Sequence, residues 1–362
     1  KEPLVLFRHD GKKLQNVSAQ AGPVFTKMFP ARGLATGDFN NDGRPDLYIS
    51  RKGALNLLYR NDGPDAAAGW KFTDVSKQAG VEQPLHSFPT WFFDYDNDGW
   101  LDLFVGGYYT ETLADIPAFH LGLKHRAETP RLYRNQRNGT FKEVSRDVKL
   151  DRVILPMGSA CGDLDNDGWL DCYFGTGAPE YETLLPNRMF RNDRGQRFQD
   201  VTRSGGFGQL QKGHAISFAD FDRDGDQDIY EVLGGAYPGD TYISTLLENP
   251  GHGHARVNLR LEGVKSNRAA IGARVRLVTE AGAGHRTVQP GSSFGDFPFE
   301  PHIGLGAAKT IRAVEIRWPS GLVEQITGIA PGGAFRVREG SGKAQRLTLQ
   351  AFRFGAEQRH HH

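Results

Sequence analysis

A nine-residue acidic pattern occurs four times in this chain and limits its fold more than any other feature. The copies read Asp38-Phe39-Asn40-Asn41-Asp42-Gly43-Arg44-Pro45-Asp46, Asp94-Tyr95-Asp96-Asn97-Asp98-Gly99-Trp100-Leu101-Asp102, Asp163-Leu164-Asp165-Asn166-Asp167-Gly168-Trp169-Leu170-Asp171 and Asp220-Phe221-Asp222-Arg223-Asp224-Gly225-Asp226-Gln227-Asp228. They start 56, 69 and 57 residues apart. A short apolar or small-residue run precedes each copy, such as Thr90-Trp91-Phe92-Phe93, and an alternating run follows, such as Leu103-Phe104-Val105. Alternation is the period of a half-buried strand, so each acidic segment reads as a tight loop between two strands.

Alternate residues of such a loop point to one side. Positions 1, 3, 5 and 9 then converge their side-chain oxygens, position 7 offers its carbonyl, and Gly at position 6 permits the sharp turn. The expected ligand sets are Asp38, Asn40, Asp42 and Asp46 with the Arg44 carbonyl; Asp94, Asp96, Asp98 and Asp102 with that of Trp100; Asp163, Asp165, Asp167 and Asp171 with that of Trp169; and Asp220, Asp222, Asp224 and Asp228 with that of Asp226. An all-oxygen set suits Ca2+ over Zn2+, which would want Cys or His. So many carboxylates in nine residues repel one another unless a cation joins them. About four Ca2+ are expected, with the first site weakest because Asn40 lowers its ligand charge. An EF-hand is excluded, since strands rather than helices flank the loops. The position-2 residues Phe39, Tyr95, Leu164 and Phe221 are expected to point away from the ion into the core.

Two further elements recur in each unit. One is Leu58-Tyr59-Arg60-Asn61, Leu132-Tyr133-Arg134-Asn135 and Met189-Phe190-Arg191-Asn192; the other is Phe72-Thr73-Asp74-Val75, Phe141-Lys142-Glu143-Val144 and Phe198-Gln199-Asp200-Val201. Each unit is thus about four strands long, the content of a propeller blade, which buries its faces only by stacking on other blades. Residues 1–250 are read as the repeats, 251–359 as a differently written β segment, and 360–362 as a tag remnant. Strand-like runs continue at 255–261, 273–278, 313–318 and 334–337. The length favours six or seven blades, with the last segment completing the ring or packing on it. The N-terminal Leu6-Phe7-Arg8 and Leu14-Gln15-Asn16 runs are expected to finish a blade begun by the C-terminal end.

These loops and elements resemble the FG-GAP or VCBS repeats of integrin-α-like propellers. The stretches Lys265-Ser266-Asn267-Arg268-Ala269-Ala270-Ile271-Gly272-Ala273-Arg274-Val275, His302-Ile303-Gly304-Leu305-Gly306 and Trp318-Pro319-Ser320-Gly321 resemble the ASPIC/UnbV domain. Together they look like the family of cartilage acidic protein and its bacterial homologues. The resemblance implies an all-β, calcium-binding propeller. An EGF-like cysteine cluster at the end is missing, so no matrix role carries over.

The acidic loops hold 16 of the 43 carboxylates, while residues 251–359 carry 16 Lys plus Arg against 8 Asp plus Glu. Four Ca2+ would take the formal charge from +1 to about +9. A basic C-terminal surface is therefore expected, drawn from Arg256, Arg260, Arg274, Arg276, Arg312, Arg317, Arg336 and Arg338. Such a surface suits an anionic glycan, with ordinary solvated strand faces as the competing reading. Cys161 and Cys172 flank the third loop, either as two buried thiols or as a cross-strand disulfide, which needs an oxidising compartment. The start at Lys1 rather than Met reads either as a trimmed signal peptide or as an artificial boundary of the sequence, and the disulfide option with the first of these suggests a secreted, extracellular or periplasmic protein. No apolar run is long enough for a membrane span, no nucleic-acid partner is indicated, and a monomer is expected.

No Gly-x-Ser-x-Gly elbow, phosphate-binding Gly-Lys-Ser/Thr loop or His-Glu-x-x-His is present. His86, His120, His125, His214, His285 and His302 remain as candidates, with His86 and His214 placed to face a channel mouth. Residues 292–302, dense in aromatics and carboxylates, read as a sealing loop or a pocket wall, and Asn267 with Arg268 as a turn or a ligand contact. Two functions follow: a module that binds a protein or glycan, or an enzyme of cyclase, lyase or hydrolase type working at the channel mouth.

Overall fold

The computed structural model describes residues 3–9, 11–64, 70–177, 183, 185–235, 239, 242–291, 294–296 and 298–354. The tag reading at 360–362, and Ser292, Ser293 and Phe297 of the aromatic segment, lie outside the described residues. The chain opens with a hairpin of β1 (Phe7–His9) and β2 (Leu14–Asn16), which pair with each other in a two-stranded sheet. They do not finish a C-terminal blade. Leu4 and Leu6 instead pack with Phe25, Ile49 and Tyr59 against the first repeat.

Each repeat then builds a four-stranded antiparallel meander in which the acidic loop joins the first strand to the second. β3 (Ala31–Gly37), β4 (Asp46–Arg51), β5 (Leu57–Gly63) and β6 (Lys71–Asp74) form the first sheet. β7 (Ser87–Phe93), β8 (Asp102–Gly107), β9 (Arg131–Asn135) and β10 (Phe141–Glu143) form the second, and β11 (Pro156–Gly162), β12 (Asp171–Thr176), β13 (Arg188–Asp193) and β14 (Arg197–Asp200) the third. The fourth has β15 (Gly213–Ala219), β16 (Asp228–Leu233) and β17 (Thr245–Leu247). The first strands of successive sheets lie side by side, β3 against β7, β7 against β11 and β11 against β15, as in a propeller. Neighbouring sheets cover each other's faces, and the N-terminal segment covers the open face of the first. Ala35, Tyr48 and Leu58 of the first share a core with Leu103, Val105 and Phe141 of the second, and Trp91 and Phe104 of the second share one with Phe174 and Phe190 of the third.

The last part of the chain contributes β18 (Arg256–Glu262), β19 (Arg274–Thr279), β20 (Ala283–Thr287), β21 (Gly295–Asp296), β22 (His302–Gly304), β23 (Ile311–Arg317), β24 (Val323–Gln325), β25 (Gly333–Arg338) and β26 (Ala344–Leu347). Two sheets, ordered β22-β18-β25-β26 and β20-β19-β23-β24, close on one apolar core that includes Leu259, Val275, Ile316 and Phe335. β18 and β25 run parallel, which a blade meander does not allow. The described residues therefore give four repeat blades rather than six or seven, and the final segment packs on them as a sandwich. Inward–outward alternation is the same in a blade and a sandwich, so periodicity could not separate the two. β21 returns to the repeats and pairs parallel with β15, and Phe294 stacks on Phe88. The described part of the 292–302 segment thus acts as a seal.

Candidate metal centres

Each acidic loop is built by the same hydrogen bonds. The position-9 carboxylate is buried at the start of its second strand and accepts two backbone N–H groups. One comes from position 2 of its own loop and one from the Asn of the third strand: Phe39 and Asn61 on Asp46, Tyr95 and Asn135 on Asp102, Leu164 and Asn192 on Asp171, Phe221 and Asn249 on Asp228, all at 2.7–3.2 Å. The same Asn side chains reach back one blade. Asn135 donates to Phe39 O, Asn192 to Tyr95 O and Asn249 to Leu164 O at 2.7–2.9 Å. Position 4 is left-handed, with φ of 59° at Asn41, 53° at Asn97, 54° at Asn166 and 63° at Arg223. From that turn Asn41 donates to Gly99 O of the next loop at 3.5 Å, Asn97 to Gly168 O at 2.9 Å, and Asn166 bonds Asp226. The four loops are thereby strung together.

Three of the four position-2 side chains go where expected, into the following blade, and Phe221 does not. Phe39 meets Phe141 with ring centres 5.7 Å apart, Tyr95 meets Phe198 at 6.3 Å, and Leu164 packs with Val201 and Leu247. Phe221 is 36% exposed. It belongs to the last blade of the series and has no successor to enter.

Three clusters of carboxylate oxygens could hold a metal ion: Asp94, Asp96 and Asp102; Asp163, Asp165 and Asp167; Asp220, Asp222 and Asp224, with the oxygens of each within 4.8 Å of one another. Among the described residues no such cluster forms in the first loop. There Asn40 donates to Asp42 Oδ2 at 2.8 Å and Arg44 pairs with Asp42. Asp96 Oδ1 and Asp220 Oδ1 are buried without a hydrogen-bond partner, as an ion ligand would be. Burial pushes Asp94 and Asp163 up to about 7, Asp46 to about 8 and Asp228 to about 6, and lifts Asp102 and Asp171 well above the usual carboxylate range. Neighbouring loop carboxylates add to the rise at Asp94 and Asp102, while Arg286 opposes it at Asp163. A divalent cation on these oxygens would reverse that cost. The donor set therefore fits a hard cation at the second, third and fourth loops.

Sequence reasoning missed the guanidinium groups that share this work. Arg134 reaches Asp96 at 2.7 Å, Arg137 reaches Asp98 at 2.8 Å, and Arg191 spans Asp165 and Asp167 at 2.6 and 2.8 Å. Arg134 and Arg191 come from the recurring Tyr/Phe-Arg-Asn element, whose constant place beside the loops was the available signal. Arg60 holds the same place, but position 3 of its loop is Asn40, and it pairs with Asp62 instead.

The C-terminal sandwich sits directly on the loops. Arg286 of β20, buried, donates to Asp163 Oδ2 and Gly168 O at 3.2 Å and to Asn97 Oδ1 at 3.3 Å, while its Nε binds His302 O at 3.0 Å. Gly304 N donates to Asp163 Oδ2 at 2.8 Å, and a Cβ at Gly304 would lie 2.2 Å from the Asn166 backbone. Arg274 bonds Gly99 O, and Arg256 stands 4.0 Å from Asp220. Arg256 and Arg274 thus serve this contact rather than an open basic face. Burial and nearby arginines hold His285 down at about 4 and His302 at about 3, so both are neutral. His302 bonds Asn166 at 2.5 Å.

The other candidate histidines are dispersed. His86 stacks on Tyr109 and lies 3.5 Å from Glu128, His120 and His125 both meet Phe119 edge-on, and His214 Nε2 is buried unpaired. Asn267 closes its own turn through Ile271. Cys161 and Cys172 face each other across β11 and β12 and are joined by a disulfide. A buried carboxylate not anticipated from sequence, Glu231, accepts from Tyr173 OH at 3.0 Å and Asn187 Nδ2 at 2.6 Å.

With this geometry in view, comparison with known proteins agrees with it. A model of FG-GAP-like repeats matches residues 38–105 and 94–174, and a model named for ASPIC and UnbV matches 263–344. The chain carries FG-GAP-like repeats followed by an ASPIC/UnbV domain. It is similar to cartilage acidic protein 1 of Mus musculus and of Homo sapiens, each 24% identical over 323 residues. That is 85% of this chain and 44% and 43% of theirs, so the chain spans less than half the length of those relatives. A solved Agrocybe aegerita lectin, described as recognising non-reducing terminal N-acetylglucosamine, aligns over 71% of this chain and 65% of its own with a TM-score of 0.38 and 17% identity. No helix among the described residues is long and apolar enough to cross a membrane.

Proposed function

We propose that this protein is a secreted binding module for a protein or glycan partner, and that Ca2+ fixes its repeats in place. The observation that carries the calcium part is the set of three carboxylate clusters with unpartnered buried oxygens on Asp96 and Asp220. Asp94, Asp96 and Asp102, Asp163, Asp165 and Asp167, and Asp220, Asp222 and Asp224 would hold the ions, which would supply charge neutralisation and cross-linking. The buried third-strand Asn side chains already join blade to blade. An ion on each loop would stiffen the surface that a partner meets. The Cys161–Cys172 bridge supports an oxidising compartment.

Elemental analysis after dialysis in millimolar Ca2+ should return at least three ions per chain, and chelator should lower the melting temperature. A ligand at 100 times its Kd adds about 2.7 kcal/mol per site. Asp222→Asn should remove one ion, whereas Asp42→Asn, in the loop without a cluster, should change the high-affinity count little. Fewer than two ions, or a melting temperature indifferent to chelator, would sink the calcium reading.

A further inference from the structure

The outer face of the β22-β18-β25-β26 sheet carries cations that the protein itself does not neutralise. Alternation along β25 turns Phe335 and Val337 into the core and Arg336 and Arg338 outward. The register places Arg336 between Arg260 of β18 and Gln345 of β26, and Arg338 beside Glu262. Arg260 is satisfied by Glu300 at 2.6 Å, and Arg336 lies 3.2 Å from Glu262 with its Nε making no hydrogen bond. Arg268, Arg338 and Lys343 are exposed, and no carboxylate lies within ion-pair distance of them among the described residues. With Glu262, Arg336, Ser341 and Gln345 they line a groove of about 610 Å³, within the usual range for ligand clefts. This groove lies on a different sheet from β20, whose Arg286 holds the acidic loops.

We infer that this groove is an anion-binding site for an acidic polysaccharide. The inference rests on the binding-module reading and names its partner class. Three unneutralised cations and a fourth held by one carboxylate suit a chain bearing sulfate or carboxylate groups, which guanidinium forks grip through two parallel hydrogen bonds. Ser341 and Gln345 can bond sugar hydroxyls between the charges. A single-stranded nucleic acid fits less well, because no aromatic side chain lines the groove to stack on bases.

The test is binding of the full chain, in calcium, to immobilised heparin and separately to hyaluronan, whose charges are carboxylates alone. The variant Arg268→Gln/Arg338→Gln/Lys343→Gln is compared with Lys77→Gln/Lys149→Gln/Arg203→Gln, an equal charge loss at exposed positions on the repeats. The groove variant should bind heparin at least about tenfold more weakly, the sum of three modest exposed contacts, with its calcium-dependent melting unchanged. Retention on heparin alone assigns the site to sulfates, and retention on both to either anion. Wild-type elution below about 0.15 M salt, the physiological screening range, overturns the groove while leaving the calcium result standing. Equal loss in the control variant overturns it too, as does an oligonucleotide displacing heparin at equal concentration.

Discussion

Replacing Arg286 by methionine should cost about 3–5 kcal/mol, the usual loss when one partner of a buried ion pair is removed. The structure places this side chain where that range applies. Arg286 is 8% exposed and its partner Asp163 is fully buried. The substitution removes donors to Asp163, Asn97, Gly168 and the His285 and His302 carbonyls together. It leaves Asp163 in an environment that already pushes its carboxyl up to about 7. Methionine keeps much of the buried volume, so the loss is electrostatic rather than a cavity. Urea unfolding in chelator, followed by tryptophan fluorescence, reads both sides of the contact, since Trp91 lies in the blades and Trp318 in the sandwich, each 1% exposed. Arg286→Met/Asp163→Asn should cost less than the sum of its single variants, because it no longer buries a lone charge. A single-variant loss under about 1 kcal/mol, the value of an exposed pair, or strict additivity would refute the reasoning.

Two further outcomes are expected. Intact mass without reductant should fall two hydrogens short of the dithiol, and Cys161→Ser/Cys172→Ser should lose about 2–3 kcal/mol, as expected for a bridge closing a separation of 11 residues. Burial pushes Glu231 from 4.5 up to about 7. A carboxyl whose affinity for protons is higher when folded gives stability that is present at low pH and lost as pH climbs from about 4.5 to about 7, here of order 3 kcal/mol. Melting curves across that window should show a component that Glu231→Gln removes, and an unchanged slope in that variant would contradict the assignment.

The repeat was legible because two local signals coincided: strand-like runs on both sides of each loop and a Gly where φ turns positive. Position 2 could be placed in the core at Phe39, Tyr95 and Leu164 for the same reason, since an aromatic or Leu beside an acidic turn packs on the next blade; Phe221, with no such blade described after it, stays exposed. What stayed hidden depends on contacts distant in sequence. Arg286 meets Asp163 across 123 residues, and nothing near either residue announces the other. The split between blades and sandwich was hidden too, because Val257, Leu259 and Leu261 alternate identically in both. It is decided by the parallel pairing of β18 with β25, a matter of chain routing. The basic C-terminal count was read correctly as a charge asymmetry. Its division into Arg256 and Arg274 at the loops, and Arg268, Arg338 and Lys343 in the groove, needed the register.

Fixed guanidinium groups and a bound cation do the same electrostatic work on these loops, and the structure shows how far the first goes. The first loop sets three carboxylates against Arg44, and the second sets four against Arg134 and Arg137. The third sets four against Arg191 and Arg286. In each case two negative charges are left over, the charge of one divalent ion. The fourth loop holds five carboxylates, and Arg256 at 4.0 Å is its nearest guanidinium partner among the described residues. One residue past its third strand stands Glu248, in the sequence position where the second and third blades carry Arg134 and Arg191, so that position delivers no guanidinium to the loop. That loop has the greatest need of an ion, and it also keeps Asp220 Oδ1 buried and unpartnered. The first loop, with Asn40 in place of a carboxylate and Arg44 on Asp42, keeps the same formal excess as the second and third, but among the described residues it brings no three carboxylate oxygens together. On the proposed calcium reading, the order of affinity would follow from each loop's own residues together with the side chains that the third strand and the sandwich deliver to it.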